Sequence, residues 1–351
     1  MHCTHCGQEI PNGSRICPNC GEFIETYVPP HKEGVPAWRI GLLALMCAAA
    51  SAFLLAASAV HVGLVEIPIP DIFRDDSQVE EPEDVQWAVE AKNMVDTYSW
   101  EDLAAISAEL REAPTTADMV MVARHYNILD ENGRLNGNQT KRFELIDGTE
   151  LTAQIIGIGH DERADGNGRA GISFLIKECV TVRDMNANGN IEGGWRQSDL
   201  RKALEETYLP MLPSDLAGVI CAVNKRTNNV GTASEDSVDV VTKTSEKLWV
   251  PSTVEVIGRV NAADLYTQHA WAAPIYNAEG TRYQLFEDIM TMPNSENTIL
   301  IRRVGSAPTA WWLRSPRPGS QHTFCTVDAT GNAPSGDGTA YAYGLVFGFC
   351  I

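Results

Sequence analysis

The chain has 351 residues, a hydrophobic content of 44% and a formal net charge of −19, from 27 Lys and Arg against 46 Asp and Glu. A field of that sign repels phosphate polymers, so the expectation is that nucleic acid is not a partner. The first 65 residues carry a net −1, which leaves −18 on a remainder long enough for one substantial folded domain with a helical prefix.

The N-terminus carries two Cys-x-x-Cys turns, Cys3 with Cys6 and Cys17 with Cys20, followed by Gly7 and Gly21. Each turn presents two sulfurs from one tight loop, and four thiolates complete the tetrahedral shell that zinc prefers. No apolar run here could build a core, so metal binding rather than a disulfide pair is expected to order the segment. The neighbouring His2 and His5 are bystanders to a saturated site. Residues 3–21 closely resemble the short zinc ribbons that begin many bacterial membrane proteins. The likeness implies a ribbon over 1–25 with structural zinc on Cys3, Cys6, Cys17 and Cys20.

A linker over 26–39 leads to residues 40–64, which contain no Asp, Glu, Lys or Arg. Such a stretch is long enough to cross a hydrocarbon layer of roughly 30 Å as one transmembrane helix. Lys32 and Arg39 precede it, whereas Glu66, Asp71, Asp75 and Asp76 follow. By the positive-inside rule, the expectation is a single-pass protein of the bacterial cell membrane, with a cytoplasmic ribbon and an exterior C-terminal domain. Pro68, Pro70 and Pro82 among acids make 65–83 an extended tether.

A helical prefix is expected over 84–128. Val85, Trp87 and Val89 open one helix, Ser99 to Asp102 forms a Ser-x-x-Asp capping box for a second, and 115–126 reads as a third. From residue 140 the pattern changes to an α+β domain ending at 351. Strands are expected over 142–145, 149–158 and 172–178, separated by Asp-Gly and Asn-Gly turns, with a helix over 198–208. Later strands are expected over 248–252, 299–303, 311–315, 324–328 and 344–349.

Residues 158–162, 168–174, Met185-Asn186 leading to Gly193-Gly194-Trp195, Ser198-Asp199-Leu200-Arg201, and Trp312-Leu313-Arg314-Ser315-Pro316 with the 344–351 ending resemble the bacterial domain of unknown function numbered 6273. The resemblance spans roughly 140–351. The ending is also similar, more weakly, to that of C-type-lectin-like domains, including relatives of the formylglycine-generating enzyme. That likeness implies a twisted antiparallel sheet with flanking helices and long, loop-rich connections.

Trp311, Trp312, Arg314, Arg317 and His322 form the densest aromatic and cationic cluster of the exterior region. Strand alternation puts Trp312 and Arg314 on one face, where an aromatic beside a guanidinium could stack on a sugar or clamp a carboxylate. The ligand-binding candidates are therefore Trp312, Arg314, Arg317 and His322. The competing reading is a buried arginine paired with an acid such as Asp199 or Glu255. His160 and Asp161 are neighbours in sequence, but adjacent strand residues face opposite ways. Residues 184–191 match the start of a calcium loop, yet Trp195 stands where the closing carboxylate belongs. Cys179, Cys221, Cys325 and Cys350 permit two disulfides in three connectivities, with Cys325 and Cys350 the preferred pair, or four buried thiols.

No nucleophile elbow, zinc-protease helix or phosphate loop occurs, and no catalytic residue is assigned. The expectation is a surface protein whose exterior domain binds an unknown envelope or environmental ligand, glycan or peptide. The alternatives are an enzyme of the formylglycine-generating type and an adaptor whose ribbon recruits a cytoplasmic protein. One zinc per chain is predicted, with loss of ribbon order after chelation or Cys17→Ser. Amide NMR checks this: a metal-free ribbon that keeps dispersed signals would refute it.

Overall fold

The computed structural model describes residues 86–229, 237–261, 267–289 and 297–351. The chain divides into two compact units, Met1–Asp84 and Val85–Ile351, and the described residues all belong to the second. The expected ribbon, linker, membrane span over 40–64 and tether lie outside the described residues. Among the described residues no helix is long and apolar enough to cross a membrane. The longest described helix has 13 residues, whereas a span needs roughly 20. The transmembrane helix, and the cell-membrane placement built on it, are corrected to that extent: no described residue supports a span, and neither is carried further.

The prefix contains two helices, α1 (Trp100–Glu112) and α2 (Thr116–His125). Both begin with capping boxes. The Ser99 side chain accepts from the Asp102 amide while Asp102 accepts from the Ser99 amide, and Thr115 and Asp118 repeat the arrangement. These caps satisfy amides that the first helical turn leaves without partners. Trp100, Leu103, Ile106, Ser107 and Leu110 recur at helical spacing and form the buried stripe of α1. The helix expected from Val85 is absent among the described residues, where 86–94 is irregular and only a 3-10 turn at Val95–Thr97 follows.

Among the described residues, thirteen strands make two principal sheets and two hairpin ribbons. The first sheet has the order β1-β2-β3-β13, from Thr140–Glu144, Glu150–Ile158, Ile172–Ile176 and Gly348–Cys350, all antiparallel. The second has the order β11-β10-β9-β12-β4, from Ser335–Gly338, Thr323–Val327, Trp311–Pro316, Tyr343–Leu345 and Thr181–Arg183. Within it β12 runs parallel to β9, so the fully antiparallel sheet expected from the lectin-like ending is not formed. The ribbons are β5-β6 (Val223–Asn228, Val241–Glu246) and β7-β8 (Arg302–Val304, Ala307–Thr309).

One ladder ties the sheets together. Strands β3 and β4 follow each other in sequence, as do β12 and β13; β4 pairs with β12 and β3 with β13. The connecting backbone continues the pairing, since Val180 donates to Leu345 O and Ile176 to Phe347 O, each at 2.9–3.0 Å. The last eight residues therefore belong to both sheets. Two glycines make this close approach possible: a Cβ at Gly344 would lie 2.3 Å from the Cys179 sulfur, and one at Gly348 would lie 2.4 Å from the Trp249 ring.

The core is continuous through Trp100, Phe174, Trp195, Trp249, Trp311, Trp312 and Phe349, all at most 3% exposed. The expected strand over 248–252 is reduced to a single bridge, Trp249 to Gly348, before a buried Ser252-x-x-Glu255 capping box opens α3 (Thr253–Ile257). The helix expected over 198–208 begins at Asp199 with a Ser198 cap and passes into a π turn at Leu204–Tyr208. Ser99→Ala is predicted to cost about 1 kcal/mol by removing one half of the α1 capping box, measured as a lower urea midpoint with an unchanged slope.

Candidate functional site

The inward positions of β9, β5 and α3, with the connecting segments that carry Asp161 and Glu279, bring five charged-type side chains into the centre of the domain. Arg314 of β9 and Lys225 of β5 are 0–1% exposed, and Asp161, Glu255 and Glu279 are 2–4% exposed. Glu255 sits between the two cations. One of its oxygens accepts from Arg314 Nη2 at 2.8 Å and from Lys225 Nζ at 3.2 Å; the other accepts from Arg314 Nη1 and from the Ser252 amide. Arg314 also donates to Thr227 Oγ1 and Val250 O, each at 2.8 Å. Lys225 Nζ pairs with Asp161, bonds the Tyr283 hydroxyl at 2.6 Å and lies 3.6 Å from the centre of the Trp249 ring. Asp161 additionally accepts from Ser173 Oγ at 2.6 Å and from the Tyr283 hydroxyl at 2.9 Å.

Burial alone would raise both paired carboxyls. The Lys225 ammonium reverses this for Asp161 and holds it well below the usual range, and Arg314, then Lys225, reverse it for Glu255. Glu279 lacks such a partner. Burial pushes it up to about 7 although Ser315 Oγ and the Asn228 amide bond its oxygens. Two paired anions balance two cations, and a third buried charge would be uncompensated.

The ligand-platform expectation is corrected by this packing. Trp312 is fully buried, donates Nε1–H to Arg183 O at 2.9 Å and meets the Tyr343 ring edge-on, while Arg314 is consumed by Glu255. Arg317 and His322 are exposed beyond the end of β9, with His322 Nδ1 2.9 Å from Gly189 O. The four residues do not form one face, because β9 is covered on both sides. The pairing of Arg314 with Glu255 is the one that the competing sequence reading named.

His160 and Asp161 do approach, with Nδ1 3.7 Å from Oδ1. Strand alternation fails there because β2 ends at Ile158 and Gly159 turns the chain at φ +59°. The preferred cysteine pair is also corrected. All four cysteines are free thiols, and Cys350 lies across a bridge from Cys221 while Cys325 packs 3.5 Å from the Tyr276 hydroxyl in the other sheet. Burial raises all four, Cys179 to about 11, so none is a ready thiolate of the kind a cysteine-based oxidase needs. Among the described residues no group of three His, Cys, Asp or Glu could hold a metal. In the calcium-like loop, Asn186 and Asn188 are spent on backbone groups.

An open cleft lies elsewhere, between α2 and residues 284–288, with a volume of ≈ 390 Å³. Met119, Val120, Leu129, Leu135, Ile158 and Leu285 line it, with Arg134, Glu287 and Asp288 among its polar residues. Its wall is pinned by Gln284, which accepts from the Ile158 amide at 3.1 Å and donates to Ile158 O at 2.8 Å. Gly159 shapes it too, since a Cβ there would sit 3.0 Å from the Met119 sulfur. Sequence reasoning missed this cleft because its two sides are about 165 residues apart in the chain.

The protein thus combines a ribbon-type N-terminus with a sheet-rich domain built on a buried charge cluster. It belongs to the DUF6273 family, a domain of unknown function, whose match covers residues 170–351, just over half the chain; a zinc-ribbon domain matches residues 2–23. No curated protein and no solved structure matches it.

The raised Glu279 predicts a pH effect of definite sign. The folded state holds this proton up to about pH 7 and the unfolded state releases it near 4.5. Its contribution is fully present below 4.5 and is lost as pH rises through 7, by roughly 3 kcal/mol. Glu279→Gln keeps a neutral group there, so the variant should match the wild type at pH 4.5 and exceed its stability at pH 8 in denaturant unfolding. Equal stability of the two at pH 8 would show that burial does not raise the Glu279 carboxyl.

Proposed function

We propose that the Val85–Ile351 unit is a non-catalytic binding domain, and that its cleft between α2 and residues 284–288 takes an apolar side chain of a peptide segment flanked by basic residues. The observation that carries this is the cleft itself: six apolar side chains, an adaptable methionine among them, stand beside five polar ones. Its lining contains no aromatic ring on which a sugar could stack, which favours peptide over glycan. Glu287 and Asp288 outnumber Arg134 there, and the net −11 on residues 85–351, from 34 Asp and Glu against 23 Lys and Arg, attracts cations over a longer range. The buried charge cluster supports a binding role rather than chemistry, since its members are spent on one another and closed to a substrate.

In the same reading the N-terminal ribbon holds one structural zinc on Cys3, Cys6, Cys17 and Cys20. Four thiolates leave no open position for catalysis. The ribbon then serves as a small folded module through which a second protein can be recruited.

Selection from a random peptide library on the full chain tests the cleft. Enriched peptides should share one large apolar residue beside Lys or Arg, and Val120→Asp should weaken their binding by about tenfold or more while leaving the melting temperature nearly unchanged. Enrichment of acidic peptides, or binding indifferent to Val120→Asp, would refute the assignment.

A further inference from the structure

Arg302, at the start of β7, is 2% exposed and forms no ion pair among the described residues. Its Nη1 donates to Ile299 O at 2.8 Å and Ile301 O at 3.3 Å, and its guanidinium carbon lies 5.5 Å from the centre of the Trp311 ring. These contacts fix the group in one orientation. They leave Nε and Nη2, both buried, without a hydrogen-bond partner. Those two nitrogens form the side-on edge of the guanidinium, whose parallel N–H groups match two oxygens of one carboxylate or phosphate. Glu178 acts on Arg302 only through its field; its carboxylate accepts from the Thr152 amide instead.

Arg302 lines a cleft of ≈ 270 Å³ that also includes Gln154, Lys177 and Asn138. Gln154 is 2% exposed, donates Nε2–H to Gly137 O at 2.8 Å and has an Oε1 with no partner. Lys177 is exposed and supplies a second cation. One small region therefore holds two unused buried donors on a fixed cation, one unused buried acceptor and an exposed ammonium. Leaving such groups unpaired is costly, and most buried polar atoms in folded proteins avoid it. A buried guanidinium without a counter-charge is the more unusual of these, and burial pushes it down to about 10.

We infer that this cleft is an oxyanion-binding site in which the Arg302 Nε and Nη2 edge grips two oxygens of the ligand and Gln154 Oε1 accepts from a donor beside them. A carboxylate next to an amide N–H, as at a peptide C-terminus or in an N-acylated amino acid, supplies both features. Monohydrogen phosphate supplies the same chemistry from another source, with its own O–H as donor. Lys177 adds attraction at the surface without fixing geometry. The site is separate from the apolar cleft, and neither assignment depends on the other.

The full chain is titrated at constant ionic strength with N-acetylglycine, acetate and inorganic phosphate, following the Arg302 Nε–H resonance and the melting temperature. N-acetylglycine should shift that resonance and raise the melting temperature, with acetate weaker because it lacks the donor. Lys177→Ala, at an exposed position, should weaken binding severalfold. Arg302→Lys, which keeps a cation but loses the fork, should weaken it by roughly tenfold or more. A larger response to phosphate than to N-acetylglycine supports the site and makes inorganic phosphate its source. An Nε–H resonance in the wild type that none of the three probes moves, up to their solubility limits, overturns the inference whether or not Arg302→Lys folds.

Discussion

Glu255 is the constraint on which the centre of the domain depends. One carboxylate caps α3 through the Ser252 amide, receives the Arg314 guanidinium along both of its oxygens and accepts from Lys225. It thereby locks together a helix start, a strand of the second sheet and a strand of the β5-β6 ribbon. Buried charges of this kind are expensive to desolvate and are not in themselves a source of net stability. Their effect is specificity: each cation has one place where its charge and hydrogen-bonding needs are met, so packings that displace β9 from β5 leave a bare charge in the core.

A second network surrounds the first at Asp161, where Lys225, Tyr283 and Ser173 converge. Lys225 belongs to both. The ammonium also rests against Trp249, whose ring occupies the space that Gly348 leaves open in β13. The charge cluster and the ladder joining the two sheets are consequently one packed unit. Closing the C-terminal tail onto β3 and placing Lys225 over Trp249 are parts of the same arrangement. This explains why the densest polar chemistry in the domain is inaccessible, while the two clefts described above lie where the α1-α2 prefix and the loops after it meet the sheet.

The contrast between Arg314 and Arg302 is instructive. Both are buried arginines at or next to strands of the C-terminal half, and both lie near tryptophan-bearing β9. Arg314 meets a carboxylate, three carbonyls and a hydroxyl, and its charge is compensated. Arg302 meets carbonyls through one nitrogen and has a free edge. The first is a structural cation. The second keeps two hydrogen-bond donors without partners.

Local signals were legible in the sequence wherever the physics is local. The Ser99 capping box, the strands over β2 and β9 and the turn glycines are fixed by neighbours within a few residues, and they fall where periodicity and cap chemistry put them. The Cys-x-x-Cys pairs were readable for the same reason, and the zinc-ribbon match over 2–23 agrees with them. The Ser252-x-x-Glu255 box carried a comparable signal for α3, although nothing local said that its glutamate would be buried. Which face of β9 meets solvent could not be read, because alternation distinguishes two faces only when one of them is exposed, and here both are covered. The meeting of Asp161, Lys225, Glu255, Glu279 and Arg314 spans more than 150 residues of chain, and only the sheet order and the positive φ at Gly159 decide it. Composition and short spacing thus determined the modules and the local elements. Tertiary structure alone decided which charges are buried, which are matched and which one is left with a free edge, because burial and pairing are properties of the whole packing rather than of any segment.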